Sequence, residues 1–187
     1  MVRNPEKIFC LAGDISTGKT TVAEHLAAEF DAHHFRMAKL LAAKAREEGM
    51  NTSDYSDSIM QMHGPSGVMA HLMPDIHTDF VNGAHNNITI DGIYRPEDLD
   101  VIRATFPHSK LYLIFTSAPR ILRIGKLAKR EGISILAAKE KIDKWDVHMN
   151  QKFNKLNVLE KTSDIKVHNW LRNSNQVKTA ISKALKR

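Results

Sequence analysis

The chain has 187 residues, a formal net charge of +6 and a single cysteine. Its length supports one domain, spanning residues 1–187, with a hydrophobic core. Cys10 alone excludes an intramolecular disulfide, and no apolar run approaches the roughly 20 residues of a membrane span. Residues 1–5 lack the apolar core of a signal peptide, so the expected location is cytoplasmic, with no membrane partner.

Residues 7–12 (Lys-Ile-Phe-Cys-Leu-Ala) form an apolar run of strand length. A helix is expected over 19–30, where Val22, Ala23, Leu26, Ala27 and Phe30 share one face. A short second strand is expected around 34–37, then a helix over 38–48 stopped by Gly49. The turn-rich stretch 51–54 caps another helix toward Met62, and His63-Gly64-Pro65-Ser66-Gly67 interrupts the pattern. A further helix covers 68–80, and 82–87 is a loop. Residues 88–91 (Ile-Thr-Ile-Asp) form the next buried strand, and Pro96-Glu97-Asp98 opens a helix. Residues 110–115 give the strongest strand signal. Pro119 starts a helix reaching about Arg130, Gly132 interrupts it, and another helix runs from 134 to about 148. Residues 164–168 form a last strand, and Asn173 or Ser174 caps the final helix. Strand and helix alternate, which predicts an α/β protein with a parallel sheet covered on both faces.

The segment Gly13-Asp14-Ile15-Ser16-Thr17-Gly18-Lys19-Thr20 fits G-x-x-x-x-G-K-[ST], between the first strand and the first helix. In this phosphate-cradling P-loop, backbone N–H groups wrap phosphate oxygens and the following helix points its positive end at them. The pattern assigns Lys19 to the β- and γ-phosphates and the Thr20 hydroxyl to Mg²⁺. The nucleotide-binding set is Gly13, Asp14, Ser16, Thr17, Gly18, Lys19, Thr20 and Thr21.

Asp91 ends a buried strand, the position where ligands collect in open α/β sheets, and is a candidate Mg²⁺ ligand beside Thr20. Its ordinary alternative is a turn-forming Asp-Gly pair. Arg95, four residues on, is placed to face the gap between donor and acceptor phosphates, or else lies on the surface before Pro96. Arg120, Arg123, Lys126, Lys129 and Arg130 form a basic helix, with Arg123, Lys126 and Arg130 on one face. One or two of these five are expected to touch a ligand. Phosphoryl transfer depends on positioning and charge neutralisation, which such cations supply. The ten histidines show no transition-metal spacing. Met60, Met62, Met69 and Met73 read as adaptable packing around a cleft, and Phe80 and Trp145 read as core in preference to platforms that stack a base.

Together these residues resemble the nucleoside monophosphate kinase branch of P-loop kinases, in particular archaeal adenylate kinase-related and dephospho-CoA kinase-like proteins. The matching stretches are residues 13–20, His63-Gly64-Pro65-Ser66-Gly67-Val68, Asp91-Gly92-Ile93-Tyr94-Arg95, Lys129-Arg130-Glu131-Gly132 and Val167-His168-Asn169. The resemblance implies a three-layer P-loop NTPase fold with a five-stranded parallel sheet, a helical acceptor-binding segment over about 38–80 and a lid over about 123–156. It implies ATP and Mg²⁺, a nucleotide-like acceptor, and Asn169 near the donor base. Lys19, Asp91, Arg95 and Arg123 are the catalytic candidates. The chain departs from the family pattern at Lys39, where an acid is usual, at Ala42, where an Arg is usual, and at Asp143-Lys144-Trp145-Asp146-Val147-His148, where the usual run is Arg-rich. Asp14 also places an acid near phosphates.

The leading expectation is an ATP-dependent small-molecule kinase acting on a nucleotide, nucleoside or related acceptor. The competing reading is a nucleotide-binding regulator or nucleic-acid-associated NTPase, favoured by the positive charge and the absent acceptor arginine. A nucleic-acid partner is disfavoured by the lack of aromatic RNA platforms and DNA-reading motifs. No sequence feature speaks to oligomeric state.

Overall fold

The computed structural model describes residues 3–153, 156–168 and 174–185. Strand β1 (Lys7–Ala12) is buried from Ile8 onward and runs through the middle of a five-stranded sheet. It pairs with β3 (Asn87–Ile93) on one side and β4 (Lys110–Ser117) on the other. Strands β2 (Ala32–Arg36) and β5 (Ile165–His168) lie outside these, giving the order β2-β3-β1-β4-β5 with every pairing parallel. The near-continuous apolar runs of β1 and β3 follow from burial on both faces.

Alternation along β1 divides the core in two. Ile8, Cys10 and Ala12 face one core with α4 (Gly67–Asn82), α5 (Pro96–Thr105) and Leu159 of α8 (Leu156–Thr162). Phe9 and Leu11 face the other, with Val22, Ala23 and Leu26 of α1 (Lys19–Glu29) and Ile181 and Leu185 of α9 (Ser174–Leu185). Leu26 is fully buried, worth roughly 2–3 kcal/mol of transfer free energy. The arrangement is three-layered, as expected.

Two helical additions flank the carboxyl ends of the strands. Helices α2 (Met37–Glu47) and α3 (Thr52–His63) pack with α4 around Ala45, Tyr55 and Ile59. Helices α6 (Arg120–Glu131) and α7 (Ile135–Phe153) form a hairpin around Ile124, Leu127, Ala138 and Ile142, with Ile15 packed against it. Local chemistry sets several boundaries. The Asn51 side chain accepts from the Asp54 N–H at 3.0 Å, and Pro96 opens α5. Gly132 closes α6 in the left-handed region.

The structure moves some expected limits. β2 begins at Ala32 because Ala32 is buried and pairs with Asn87, and Met37 starts α2 instead of ending the strand. β3 runs on through Gly92 to Ile93, with a register shift opposite Leu11 and Ala12, so Asp91 lies inside the strand and not at its end. α7 extends to Phe153, and α8 occupies a stretch for which no element was expected. No described helix is long and apolar enough to cross a membrane.

Candidate functional site: a phosphate loop and an adjoining chamber

β1 lies between strands reached by opposite crossings, so its carboxyl end opens a crevice at the switch in strand order. The loop over residues 13–18 leaves β1 there. Gly13 (φ 133°) passes so close to β4 that a Cβ would lie 2.2 Å from the Thr116 carbonyl oxygen. Only glycine fits this approach. The Thr17 hydroxyl faces inward, donating to the Asp14 carbonyl at 2.8 Å and meeting Thr116 Oγ1 at 2.7 Å, which ties the loop to β4.

Ser16 holds a positive φ of 61°, strained for a residue with a side chain, and its enclosed Oγ has no partner among the described residues. Lys19 Nζ donates to the Gly13 and Asp14 carbonyls at 2.7 and 2.8 Å, folded back onto the loop that would present phosphate. Burial lowers its ammonium to about 8, against the raising fields of Asp91 and Asp14. An enclosed orphan hydroxyl and a desolvated ammonium fit a polyanion.

Thr20 Oγ1 donates to Asp91 Oδ2 at 2.7 Å, and the Asp91 side chain is buried. One hydroxyl and one carboxylate suit Mg²⁺, which keeps several waters and takes its other ligands from phosphates. Among the described residues no cluster of three or more His, Cys, Asp or Glu could hold a metal by itself.

A cavity of about 420 Å³ opens over the loop, lined by Ser16, Gly18, Lys19, Thr20, Thr21 and Asp91. Arg36 at the end of β2 and Lys126 and Arg130 of α6 add three cations to its wall. Gly13, Asp14 and Thr17 belong to the loop but are not among the residues lining the cavity. Asn169 lies outside the described residues.

Arg123 is buried and takes a different place. Its Nε donates to the Ile15 carbonyl at 3.0 Å, and its terminal nitrogens donate to both Asp146 oxygens at 3.2 and 2.6 Å. Asp14 Oδ2 lies 3.8 Å away. Burial raises the Asp14 carboxyl above its ordinary range, against the lowering pull of Arg123. Arg123 thus pins the α6–α7 hairpin to the phosphate loop. Arg120 pairs with Asp143 on the outer side of the hairpin.

A second chamber of about 330 Å³ adjoins the first. The two share Ala38, Gly92, Tyr94 and Trp145 as a common neck. Gly92 (φ 123°) lets the chain pass close to Met37, on which a Cβ would press at 3.1 Å. Met37, Met60, Met69 and Leu41 supply apolar wall, and Thr52, Ser53 and Ser56 a hydroxyl edge.

Arg95 belongs to this chamber. The chain turns after β3, and the Arg95 guanidinium reaches across to donate to the Pro65 carbonyl. It lines the chamber and not the cavity over the loop. The turn is fixed by Asp98, whose Oδ2 accepts the Tyr94 and Arg95 backbone N–H groups at 3.1 and 3.0 Å. Burial pushes the Asp98 carboxyl up to about 6, opposed by those two N–H groups. Burial also lowers Arg95 from its ordinary range, opposed by Asp98 and Glu97.

Phe80 is core, as read, but Trp145 forms the neck wall, its ring 6.4 Å from that of Tyr94. Met60 and Met69 line the chamber, Met73 is buried in the core, and Met62 is exposed. The sequence reading missed Arg36, Tyr94, Asp98 and the chamber's hydroxyl residues as site residues. Arg36 carried a usable signal, a cation at the carboxyl end of a parallel strand.

No family model and no curated protein matches the chain. Solved structures do. A shikimate kinase from Bacteroides thetaiotaomicron superposes with a TM-score of 0.60 at 12% identity, covering 96% of each chain. A shikimate kinase from Aquifex aeolicus gives a TM-score of 0.54 at 17% identity, again over 96% of each chain. A sugar kinase from Janibacter sp. gives 0.57 at 15% identity, over 97% of this chain and 95% of that one. At these identities the likeness is one of fold: the chain has the α/β fold of P-loop kinases.

Proposed function

We propose that this protein is an ATP-dependent small-molecule kinase that transfers the γ-phosphoryl group to a nucleotide, nucleoside or related acceptor. One observation carries the reading. The cavity over the phosphate loop adjoins, across four shared lining residues, a separate chamber of small-molecule size. A hydrolase acting on water needs no such chamber. The kinases that share the fold support the same class. The narrower likeness to nucleoside monophosphate and dephospho-CoA kinases rests on the sequence motifs, with an acceptor-binding segment over about 38–80 and a lid over about 123–156.

In this reading the loop amides, Ser16 and Lys19 hold the donor phosphates, with Asn169 near the donor base. Thr20 and Asp91 hold Mg²⁺, which when bound neutralises phosphate charge. Arg36, Lys126 and Arg130 surround the transferring group with positive charge, in the manner that lowers barriers for this reaction. Arg123 acts by holding the hairpin over the loop, and Arg95 orients the acceptor. An acceptor oxygen bonds to the γ-phosphorus as the bond to the bridging oxygen breaks, and ADP leaves with that electron pair.

Lys19→Ala tests the reading. It is expected to lower acceptor-dependent ADP formation by about 10²–10³-fold or more while the circular dichroism spectrum is unchanged. Turnover equal to wild type would eliminate the proposal.

The competing NTPase reading draws on the cations around the loop cavity. It predicts ADP release that no acceptor accelerates, together with a salt-dependent nucleic-acid complex.

A further inference from the structure

Ser16 is the residue of the phosphate loop that needs outside support. It holds a positive φ of 61° with a side chain attached, a conformation that persists only where neighbours fix it. Those neighbours come from the α6–α7 hairpin. The Ile15 side chain packs against the hairpin core of Ile124, Leu127, Ala138 and Ile142. The Ile15 carbonyl accepts from Arg123 Nε at 3.0 Å.

That hydrogen bond also sets the direction of the next amide. The Ile15–Ser16 peptide is trans, and in a trans peptide the C=O and N–H point opposite ways. With the carbonyl turned to Arg123, the Ser16 N–H points away from that guanidinium. No described residue accepts from it. Ile15 and Ser16 line the loop cavity, whereas the buried Arg123 lines neither space. The carbonyl thus faces protein, and the N–H is left for the cavity. An oriented backbone N–H without a protein acceptor suits a phosphate oxygen.

A guanidinium on a flexible stem has several ways to reach a carbonyl. Asp146 of α7 selects one. Its two oxygens accept from both terminal nitrogens of Arg123 at 3.2 and 2.6 Å, and such a bidentate pair fixes the plane of the guanidinium. The other acid beside Arg123 is Asp14 of the loop itself, with Oδ2 at 3.8 Å. Without Asp146 the terminal nitrogens would turn to Asp14, and Nε would leave the Ile15 carbonyl.

We propose that Asp146 is a positioning residue for the phosphate donor: through Arg123 it aims the Ser16 N–H at a donor phosphate. Arg123 keeps this place when nucleotide binds and does not move to the phosphates. The proposal rests on the nucleotide-binding half of the kinase reading and gives Asp146 a role within it.

The same two helices carry a second ion pair, Arg120 with Asp143, whose members do not line the loop cavity. It separates positioning of the loop from simple attachment of the helices. Asp146→Asn, Asp146→Glu and Asp143→Asn are compared with wild type by calorimetry with MgATP, well below each melting temperature. Asp146→Asn is expected to weaken MgATP binding about tenfold. Asp143→Asn is expected to bind within about twofold of wild type, because exposed pairs contribute little. Asp146→Glu keeps the charge and both oxygens, and is expected to recover most of the affinity lost in Asp146→Asn. Proton–nitrogen NMR of the wild-type protein needs no variant. On addition of MgATP the Ser16 N–H resonance is expected to move and the Arg123 Nε–H resonance to hold its position.

Wild-type affinity in a folded Asp146→Asn would reduce the pair to a structural tie and overturn the proposal. So would an equal loss in Asp143→Asn, or an Asp146→Glu that binds no better than Asp146→Asn. If Asp146→Asn does not fold, the NMR result decides. An Arg123 Nε–H that shifts with MgATP, or a Ser16 N–H that does not, overturns the proposal. A wild-type protein that binds no MgATP would remove the kinase reading and the proposal together. MgATP binding without acceptor-dependent turnover would remove the kinase reading alone.

Discussion

The loop cavity and the apolar chamber share a border of four residues, yet they are built by different means. The loop cavity takes six of its fourteen lining residues from 15–21, one contiguous stretch, joined by Asp91 and three further cations. The chamber draws three residues from α2, four from α3, two from α4 and one each from α5 and α7, with Gly92 of β3 and the turn after it. One uses backbone geometry and point charge; the other uses shape and apolar surface. Phosphate has the same geometry in every nucleotide, so a short local motif suffices to hold it. An acceptor has its own shape, and matching it requires side chains brought in from many directions.

The largest expected effect tests whether the loop cavity depends on backbone approach. Gly13→Ala forces a Cβ against the Thr116 carbonyl in a backbone region that L residues rarely adopt. It should destabilise the protein by about 3 kcal/mol or more and weaken MgATP binding by about 100-fold, read by thermal melting and calorimetry. A variant that melts and binds like wild type would show that the loop tolerates a different path.

Next is the tie between the regions. Arg123→Met removes a buried guanidinium from the Ile15 carbonyl and from Asp146. The expected cost is about 3 kcal/mol in chemical denaturation, since Asp146 is left without its partner. Arg123→Lys should recover only part, because an ammonium cannot reproduce the paired donors.

Asp91→Asn separates charge from structure on the donor side. An amide oxygen still accepts from Thr20, so the melting temperature should change little. The loss of negative charge should lower kcat about 10²-fold and raise the free Mg²⁺ needed for half-maximal rate. An unchanged Mg²⁺ requirement would exclude Asp91 from the metal site.

The smallest effect concerns the chamber side and pH. Asp98 has a folded-state pKa raised from 3.8 to about 6. Over that interval the folded protein binds more protons than the unfolded chain, so its stability falls as pH rises from about 4 to 6. The contribution is on the order of 2 kcal/mol. Asp98→Asn, which keeps an acceptor for the Tyr94 and Arg95 N–H groups, should flatten the decline. If stability in that pH window is the same in wild type and variant, the buried carboxylate is not its source.

Much of the frame was legible from residue pattern. Continuous apolar runs at 7–12, 88–91 and 110–115 became the central strands, because burial on both faces leaves no room for polar alternation. Pro96, Asn51 and Gly132 marked helix ends through their own backbone and hydrogen-bonding preferences. α8 escaped notice because its seven residues expose most of their surface and bury Leu159 alone, too little to register as a period.

The site divides the same way. Residues 13–20 announced a phosphate loop because the required geometry is local and glycine-dependent. The sequence also placed Asp91 at the carboxyl side of a parallel strand, although Gly92 carries that strand two residues further. The path of Arg95 depended on the Asp98 carboxylate that fixes the turn and on a carbonyl at Pro65, thirty residues upstream. Trp145 looked like core because helical spacing cannot report whether a neighbouring surface is solid or hollow. By itself the sequence determined that this chain folds around a phosphate loop at the end of β1, because each residue's requirement there is met by its immediate neighbours. Only the tertiary structure decided that an apolar chamber adjoins the loop, which cations line the loop cavity and which residues border both spaces. Those properties arise from the packing of elements distant in the chain, and no local pattern encodes the empty space between them.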